Sequence, residues 1–450
     1  MARGHPERAV KRVAVIGAGW SGLACALELT RRGFAVTVYD AAPKVGGRAR
    51  AVSVRLGDRD FELDNGQHLL IGAYSETLRV MAQAGVDRER TLLRLPFHIC
   101  YPDRWSLRAS RLPAPWHLAT ALLTARGLSW DARRHTATFV RRWQRHDWRL
   151  ADDATADTLF ADAPPDIVRR LWRPLCLAAL NVEPTQASAR VLLAVLRDAL
   201  AGAAAASDLL VPRSDLTRAF AAPAQQLLQR RGAELRLRSP VQRLSTDAGG
   251  WRIDGRDSHS FADAVVLALP PRRAAALLGS VQCAELASTV AVLTSIAMAP
   301  IATVYLRFPT RVRLPGPVLA LLDDRSVERY GQWVFDRGQL DPAHAGVLGV
   351  VISAADQAPA GGPASLAAAV AAQLTADLGL PAPLASAVLT EKRATIVPRP
   401  GLQRPPTRLP PGALYLAGDS AASEYPSTLE GSVRAGVAAA AAASADLGLP

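Results

Sequence analysis

The chain has 450 residues, 49% hydrophobic and 21% charged, with a net charge of +13, enough to bury the cores of two or three domains. Cys25, Cys100, Cys176 and Cys283 are dispersed, with no CxxC pair and no histidine at ligand spacing, which argues against a zinc site or a disulfide scaffold and fits a reducing cytoplasm. All but three of the 53 basic residues are arginine, and the excess is local: Arg104 to Arg149 holds ten arginines against Asp131 and Asp147.

Residues 1–19, MARGHPERAVKRVAVIGAG, are basic, but their apolar run is only a strand long, unlike a secretory leader. From residue 12 to 40 the pattern is strand, Gly-rich turn, apolar-periodic helix, strand and acid. In this βαβ unit Gly17, Gly19 and Gly22 permit a tight turn, close approach of backbone to a pyrophosphate, and close helix packing. Trp20 and Ser21 stand at the entry to the helical stretch expected from Ser21 to Arg32, whose N-terminal amides favour an anion. Asp40 stands where an acid bonds a ribose hydroxyl. Gly46, Gly47 and Arg48 follow at once, and an arginine there can pair with phosphate oxygens.

Residues 62–74, ELDNGQHLLIGAY, run five polar or turn-forming residues straight into an apolar stretch. A largely helical middle, 76 to 230, is expected next. Residues 235–255 read as short strands with a Gly-Gly turn, and 263–271, DAVVLALPP, as a buried strand stopped by prolines. The uncharged run Leu286 to Leu306 has the length of a membrane span, but Ser, Thr and Pro dilute it. A helix end followed by a buried strand is the expectation. Four strand-like runs between 301 and 354 predict an antiparallel sheet, Ser365 to Leu378 a helix, and the C-terminal segment strand, loop and an alanine-rich helix.

The fingerprint at 12–48, the strand DAVVLALPP and the segment LYLAGDSA together resemble the flavin amine oxidase and phytoene desaturase superfamily. That resemblance implies FAD, with Val241 meeting the adenine through its backbone, and Gly418 and Asp419 at the ribityl and phosphate region. The helix beginning near Ser427 would point its N-terminus, with Thr428 and Leu429, at the flavin pyrimidine. The superfamily commonly has Glu where this chain has Asp40. DNGQHLLIGAY, LWRPLCLAALNVEPTQASA and EYPSTLEGSVRAG further resemble the hydroxysqualene dehydroxylases, over essentially the whole chain. The Val182-Glu183-Pro184 stretch departs from the Thr-Pro type pair expected there.

The implied architecture is α/β: a Rossmann-like FAD-binding domain from 1–95, 211–290 and 390–450, with an inserted α+β substrate domain from 96–210 and 291–389. The implied reaction removes the hydroxyl of hydroxysqualene reductively, giving squalene for hopanoid synthesis. It requires an acid, an apolar tunnel for a C30 isoprenoid, and hydride from reduced flavin. His68 is the first candidate acid, since imidazole titrates near neutrality; purely structural hydrogen bonding is the equal alternative. Asp64 and Glu430 are the other candidates, Asp64 expected to fix the loop and Glu430 to cap a helix. Asn65, Gly66 and Gln67 suit the flavin's amide-like edge. Trp105, Trp116, Trp130, Trp143 and Trp148 among ten arginines suggest peripheral contact with an anionic membrane, here the inner face of the cytoplasmic membrane. Nucleic acid is not expected, for want of a reading module. Two other readings stay open: an oxidative desaturase or amine oxidase of the same superfamily, and a non-catalytic prenyl-lipid carrier of the GDP-dissociation-inhibitor type.

Overall fold

The strand Arg12–Ile16, the helix Trp20–Arg31 and the strand Ala35–Tyr39 form the predicted βαβ unit at the heart of a six-stranded sheet. In this computed structural model, residues 10–448 except 248, 358 and 360 are described. The basic residues 1–9, weighed above as a leader, lie outside them. The sheet runs Glu234–Arg236, Ala35–Tyr39, Arg12–Ile16, Ala264–Leu267, Leu414–Leu416, Arg408–Leu409, parallel except for the last strand. Val13 to Ile16 and Ala264 to Leu267 are wholly buried, since a parallel sheet is covered on both faces and so reads as an apolar run without alternation.

On one face lie Trp20–Arg31 and the C-terminal helix Leu429–Leu447. Their close approach depends on Gly436, where a Cβ would sit 2.1 Å from the Ser21 carbonyl oxygen. The other face is covered by the helix Pro271–Leu278 and the antiparallel strands Arg243–Asp247, Gly250–Asp254 and His259–Ala262.

The second layer is a five-stranded antiparallel sheet, in the order Val318–Ala320, Trp333–Asp336, Val347–Ile352, Met298–Arg307, Ala385–Ile396. Strand alternation sends Ala302, Val304, Leu306 and Val350 to the helix Gly362–Leu378. The opposite face carries two rows across the strands, Trp333, Val351, Thr303, Leu389 and Phe335, Gly349, Tyr305, Ala387. Trp333 and Phe335 face a helical layer, and Tyr305 packs on Val54, Leu56, Phe61 and Leu63 of the hairpin Ala51–Leu56/Arg59–Asp64.

Leu286 to Leu306 is a helix, Leu286–Ser295, running into the strand Met298–Arg307, and no helix among the described residues is long and apolar enough to cross a membrane. One expectation needs correction. The middle is less helical than its composition suggests: Leu92–Leu95 and Leu209–Pro212 pair with each other, and His98–Cys100 pairs with Ser106–Arg108. The limits implied by the resemblance fall inside elements at 210/211 in Leu209–Pro212, at 290/291 in Leu286–Ser295 and at 389/390 in Ala385–Ile396.

Candidate active site

The glycine turn leaves no room for side chains. A Cβ on Gly17 would meet the Ala268 oxygen at 2.3 Å, and one on Gly22 the Gly17 oxygen at 1.8 Å. Gly46 donates its N–H to the Ala18 oxygen, and Gly47, at φ +63°, brings its backbone against Gly19. Asp40 accepts from the amides of Ala18 (2.6 Å) and Ala42 (2.7 Å), so the expected ribose acid also ties the turn to the second strand. Val241 follows Arg238 and Ser239, whose amides bond the carbonyls of Ala42 and Asp40, which sets the two expected adenosine contacts side by side. Ser21 has a buried hydroxyl without a partner, and a Cβ on Gly418 would lie 3.9 Å from it. An orphan hydroxyl beside a Cβ-excluding turn and the free amides of a helix start suits a pyrophosphate. Trp20 departs from expectation: its ring is buried against Phe220 and its Nε1–H donates to the Ala49 oxygen at 3.1 Å, so its side chain braces the 46–50 turn and is not offered to a ligand.

Arg48 joins this cradle to the C-terminal segment. Its guanidinium donates to the Ala394 carbonyl and, at 2.6 Å, to Asp419, whose other oxygen accepts from Ser432 at 2.6 Å. Burial pushes the Asp419 carboxyl up, but the charge of Arg48 and the hydroxyls of Ser432 and Ser427 outweigh it and hold the group below its ordinary value. Arg404 donates to the carbonyls of Asp419, Ser423 and Tyr425 and so props the loop after Gly418. Thr428 caps the last helix by accepting from Gly431, leaving the amide of Leu429 at its open end. Glu430 is buried and accepts from the amides of Glu76 and Thr77 and from Arg434. It caps the helix Ser75–Gln83, and with both oxygens engaged it is not available as an acid.

The Asp64–His68 loop crosses the face of the five-stranded sheet. Asp64 is buried; its Oδ1 accepts from the Leu216 amide at 2.7 Å, its Oδ2 has no partner, and its carbonyl accepts from Tyr305. Desolvation pushes its carboxyl up to about 7, against the Leu216 bond and the charge of Arg337. His68 Nδ1 lies 2.5 Å from the Gly66 oxygen, an acceptor only, so Nδ1 carries the hydrogen and Nε2 keeps its lone pair. Desolvation pushes the imidazole down to about 4, with the Gly66 bond opposing and Arg48 assisting. The ring is therefore neutral at neutral pH, contrary to its expected role as the resting acid. The amides of Asn65 and Gln67 are likewise committed to protein, Asn65 to the Arg48 carbonyl and Glu391, Gln67 to the His68 carbonyl and Arg337. Of the three expected flavin-edge residues, Gly66 has no side chain to commit, and its carbonyl holds His68.

The site thus gathers residues 17–22, 40, 46–48, 65–68, 418–419 and 427–432, linked by Arg48. The sequence pattern of the flavin containing amine oxidoreductases matches residues 20–444. The chain belongs to that family. Its relatives include the hydroxysqualene dehydroxylases of Sinorhizobium fredii, 31% identical over 96% of this chain and 97% of that protein, and of Rhodopseudomonas palustris, 30% identical over 96% and 97%. Among solved structures, cyclohexylamine oxidase from Brevibacterium oxydans superposes with a TM-score of 0.71 at 19% identity, covering 97% of this chain and 99% of that one. The cofactor of this flavin family is FAD, and the cradle fits it: Asp40 and Val241 at the adenosine end, Ser21 and the helix amides for the pyrophosphate, and Asp419 with the start of the Leu429–Leu447 helix toward the flavin.

Several residues that shape this family site escape a reading of motifs. Asn181 ends the helix Arg173–Leu180 at φ +57°, donates to Thr395 and Pro300 and accepts from the Ala354 amide, knitting the helical layer to the sheet. An Asn closing an apolar helical run was its one visible signal. The departing Glu183 is ion-paired with Arg173, which also holds Asp323, so that position has a structural use. Glu391, Tyr305 and Arg337 reach the loop from more than two hundred residues away, and nothing local marks them.

Proposed function

We propose that this chain is an FAD-dependent hydroxysqualene dehydroxylase that replaces the hydroxyl of hydroxysqualene with hydrogen, giving squalene for hopanoid synthesis. The observation that carries this reading is a likeness of about 30% identity to proteins of that name that runs across nearly the full length, substrate layer included, and not only across the dinucleotide fingerprint. The site is consistent in chemistry. Leu69, next to His68, packs in one apolar cluster with Leu93, Leu95, Phe97, Trp333 and Phe335, so the layer beside the loop is apolar, as a hydrocarbon substrate requires.

Overall, the alcohol gains a hydride and a proton, the proton drawn ultimately from solvent, and releases water. Reduced FAD, when bound, supplies the hydride. The chain must orient the hydroxyl and exclude bulk water from the carbon that becomes cationic. His68 Nε2, with its lone pair free, accepts the substrate O–H and fixes the oxygen. Holding the imidazolium form at neutral pH against a value of about 4 would cost about 4 kcal/mol, which decides for orientation over resting proton donation. Asp64 and the Gly66 carbonyl are positioning groups, setting the loop and the tautomer of His68.

The test is anaerobic incubation of the photoreduced protein with hydroxysqualene or with squalene, following flavin absorbance and product. Reoxidation with squalene formed from the alcohol alone is expected; silence toward both lipids overturns the reading, and, with the protein left oxidised, flavin reduction by squalene would favour the oxidative one. His68→Ala should keep FAD and lose about a hundredfold in turnover, the cost of a misplaced hydroxyl. Near-normal turnover in that variant removes His68 from the mechanism.

A further inference from the structure

We infer that the helical excursion from residue 110 to 145 is a docking surface for an anionic lipid bilayer. Of the five tryptophans in this region, Trp105, Trp143 and Trp148 are core residues, whereas Trp116 is 63% and Trp130 70% exposed. Leu112 and Leu123, 46% and 64% exposed, accompany them, so half of the large exposed hydrophobic residues named among the described residues fall between 112 and 130. Scattered single residues of this kind are ordinary on a surface, but four together are not.

The geometry joins them. In the helix Trp116–Thr124, Trp116 and Leu123 are seven positions apart and share a face, while His117 and Ala121 point inward. Arg133 donates to the carbonyls of Leu122, Leu123 and Ala125 at the end of that helix, and its guanidinium lies 5.1 Å from the Trp130 ring centre. Trp130 is thereby held beside Leu123. The helix Trp130–Arg145 buries Ala132, Thr136, Phe139 and Trp143. Its opposite face carries Trp130, Arg134, Arg141 and Arg145 at spacings of four, seven and four, so an arginine stripe leads away from the apolar tip. None of Arg111, Arg126, Arg134, Arg141 or Arg145 makes an ion pair with a described residue.

Apolar side chains at a tip, with unpaired cations behind them, match the depth profile of a bilayer whose headgroups are anionic. A second copy of the chain is a poor occupant, because a self-association through this face would set one arginine stripe against another, with only Asp131 and Asp147 to relieve it. Beside the excursion is a cleft of about 360 Å³ whose lining includes Leu95, Phe97, Val318 and Leu319 together with His98 and Arg108. The Ala109 amide bonds the Phe97 carbonyl and the Ser110 amide the His117 carbonyl, so the cleft wall and the docking helix are tied together. A chain withdrawn from lipid at this surface would meet that cleft next.

Docking needs neither substrate nor turnover, so it is tested independently of the reaction. The FAD-loaded full chain is floated with vesicles of phosphatidylglycerol and phosphatidylcholine in equal parts, and with phosphatidylcholine alone. Salt-sensitive binding to the anionic vesicles with a blue shift of tryptophan emission is expected. Trp116→Ser with Trp130→Ser should weaken binding by about tenfold or more and abolish the shift, with the flavin spectrum unchanged. Arg134→Gln and Arg141→Gln should cost about fivefold each on the anionic vesicles alone. Absence of vesicle binding, equal binding by all variants, or a dimer that the tryptophan substitutions dissolve without any lipid effect would each overturn the inference.

Discussion

The glycine cradle and the Asp64–His68 loop meet at Arg48 but hold their shapes by different means. In the cradle, geometry comes from the absence of atoms: Gly17, Gly22 and Gly47 sit where a Cβ would strike backbone, and close packing fixes the turn. In the loop, geometry comes from polar groups that burial has displaced from their usual protonation. Asp64 is pushed up to about 7 and His68 down to about 4, each tethered to backbone. A region fixed by exclusion should fail abruptly under substitution and ignore pH. One fixed by buried ionisable groups should tolerate isosteric change and respond to pH.

The largest effect is therefore expected at Gly22→Ala. The new Cβ would lie 1.8 Å from the Gly17 oxygen, a clash with backbone that no rotamer relieves. A loss above about 4 kcal/mol is expected, read as a colourless or insoluble product. A yellow Gly22→Ala protein of normal stability would break the comparison on its rigid side.

The loop should answer to pH, with opposing signs at its two ends. Asp64 has a folded value above its unfolded one of about 3.9, so the stability it contributes is complete below about pH 4 and is lost as pH rises through about 7. His68 has a folded value below its unfolded one of about 6.5, so its contribution is complete above about pH 6.5 and is lost as pH falls through about 4. Between these limits the two slopes largely cancel in the wild type. Asp64→Asn, which keeps an acceptor for the Leu216 amide, should gain on the wild type as pH rises, by up to about 4 kcal/mol at pH 8. His68→Gln should do the reverse, gaining toward acid by at most about 3 kcal/mol. Urea unfolding of both holoproteins from pH 5 to 8 measures this, and parallel curves for wild type and variants would remove the claim that buried ionisation shapes the loop.

The same contrast explains what could be read from the chain alone. Strand Val13 to Ile16, the three glycines and Asp40 lie within thirty residues, and steric need writes itself into composition at each position. The polarity of Asp64 to His68 was visible, but not its cause. Leu216, Tyr305 and Arg337, which set the chemistry of Asp64 and Gln67, come from the distant sheet and its neighbours. Glu430 shows the same limit: its position after Thr428 suggested a cap, and it is one, for a helix some 350 residues earlier in the chain. Likewise the arginine-rich stretch announced its charge, but only packing separates Trp116 and Trp130 from the buried tryptophans beside them.

Arg48 tests the seam between the two regions. Asp419 is almost fully buried, but Arg48 is about a third exposed, and solvent screening reduces what the pair contributes. Arg48→Gln should cost about 2 kcal/mol, less than a fully buried pair, because Ser432 and Ser427 remain on the carboxylate. Losing that charge also lets the Asp419 carboxyl rise, so the variant should release FAD on mild acidification where the wild type keeps it. Flavin release that tracks the wild type at every pH would mean that Arg48 serves the loop alone.

The smallest effect separates bracing from binding within the cradle. Trp20→Phe retains the contact with Phe220 but removes the N–H that meets the Ala49 oxygen at 3.1 Å. One hydrogen bond is lost and its carbonyl partner is left wanting, so about 1 to 2 kcal/mol of stability should go. Ala49 adjoins Arg48, and a looser turn should let the guanidinium wander from Asp419, weakening FAD binding by less than about tenfold. If affinity falls while thermal stability holds, the indole contacts the ligand directly; if stability falls and affinity follows in proportion, Trp20 acts through the turn, and the cradle depends on a polar tether at the edge where it joins the loop.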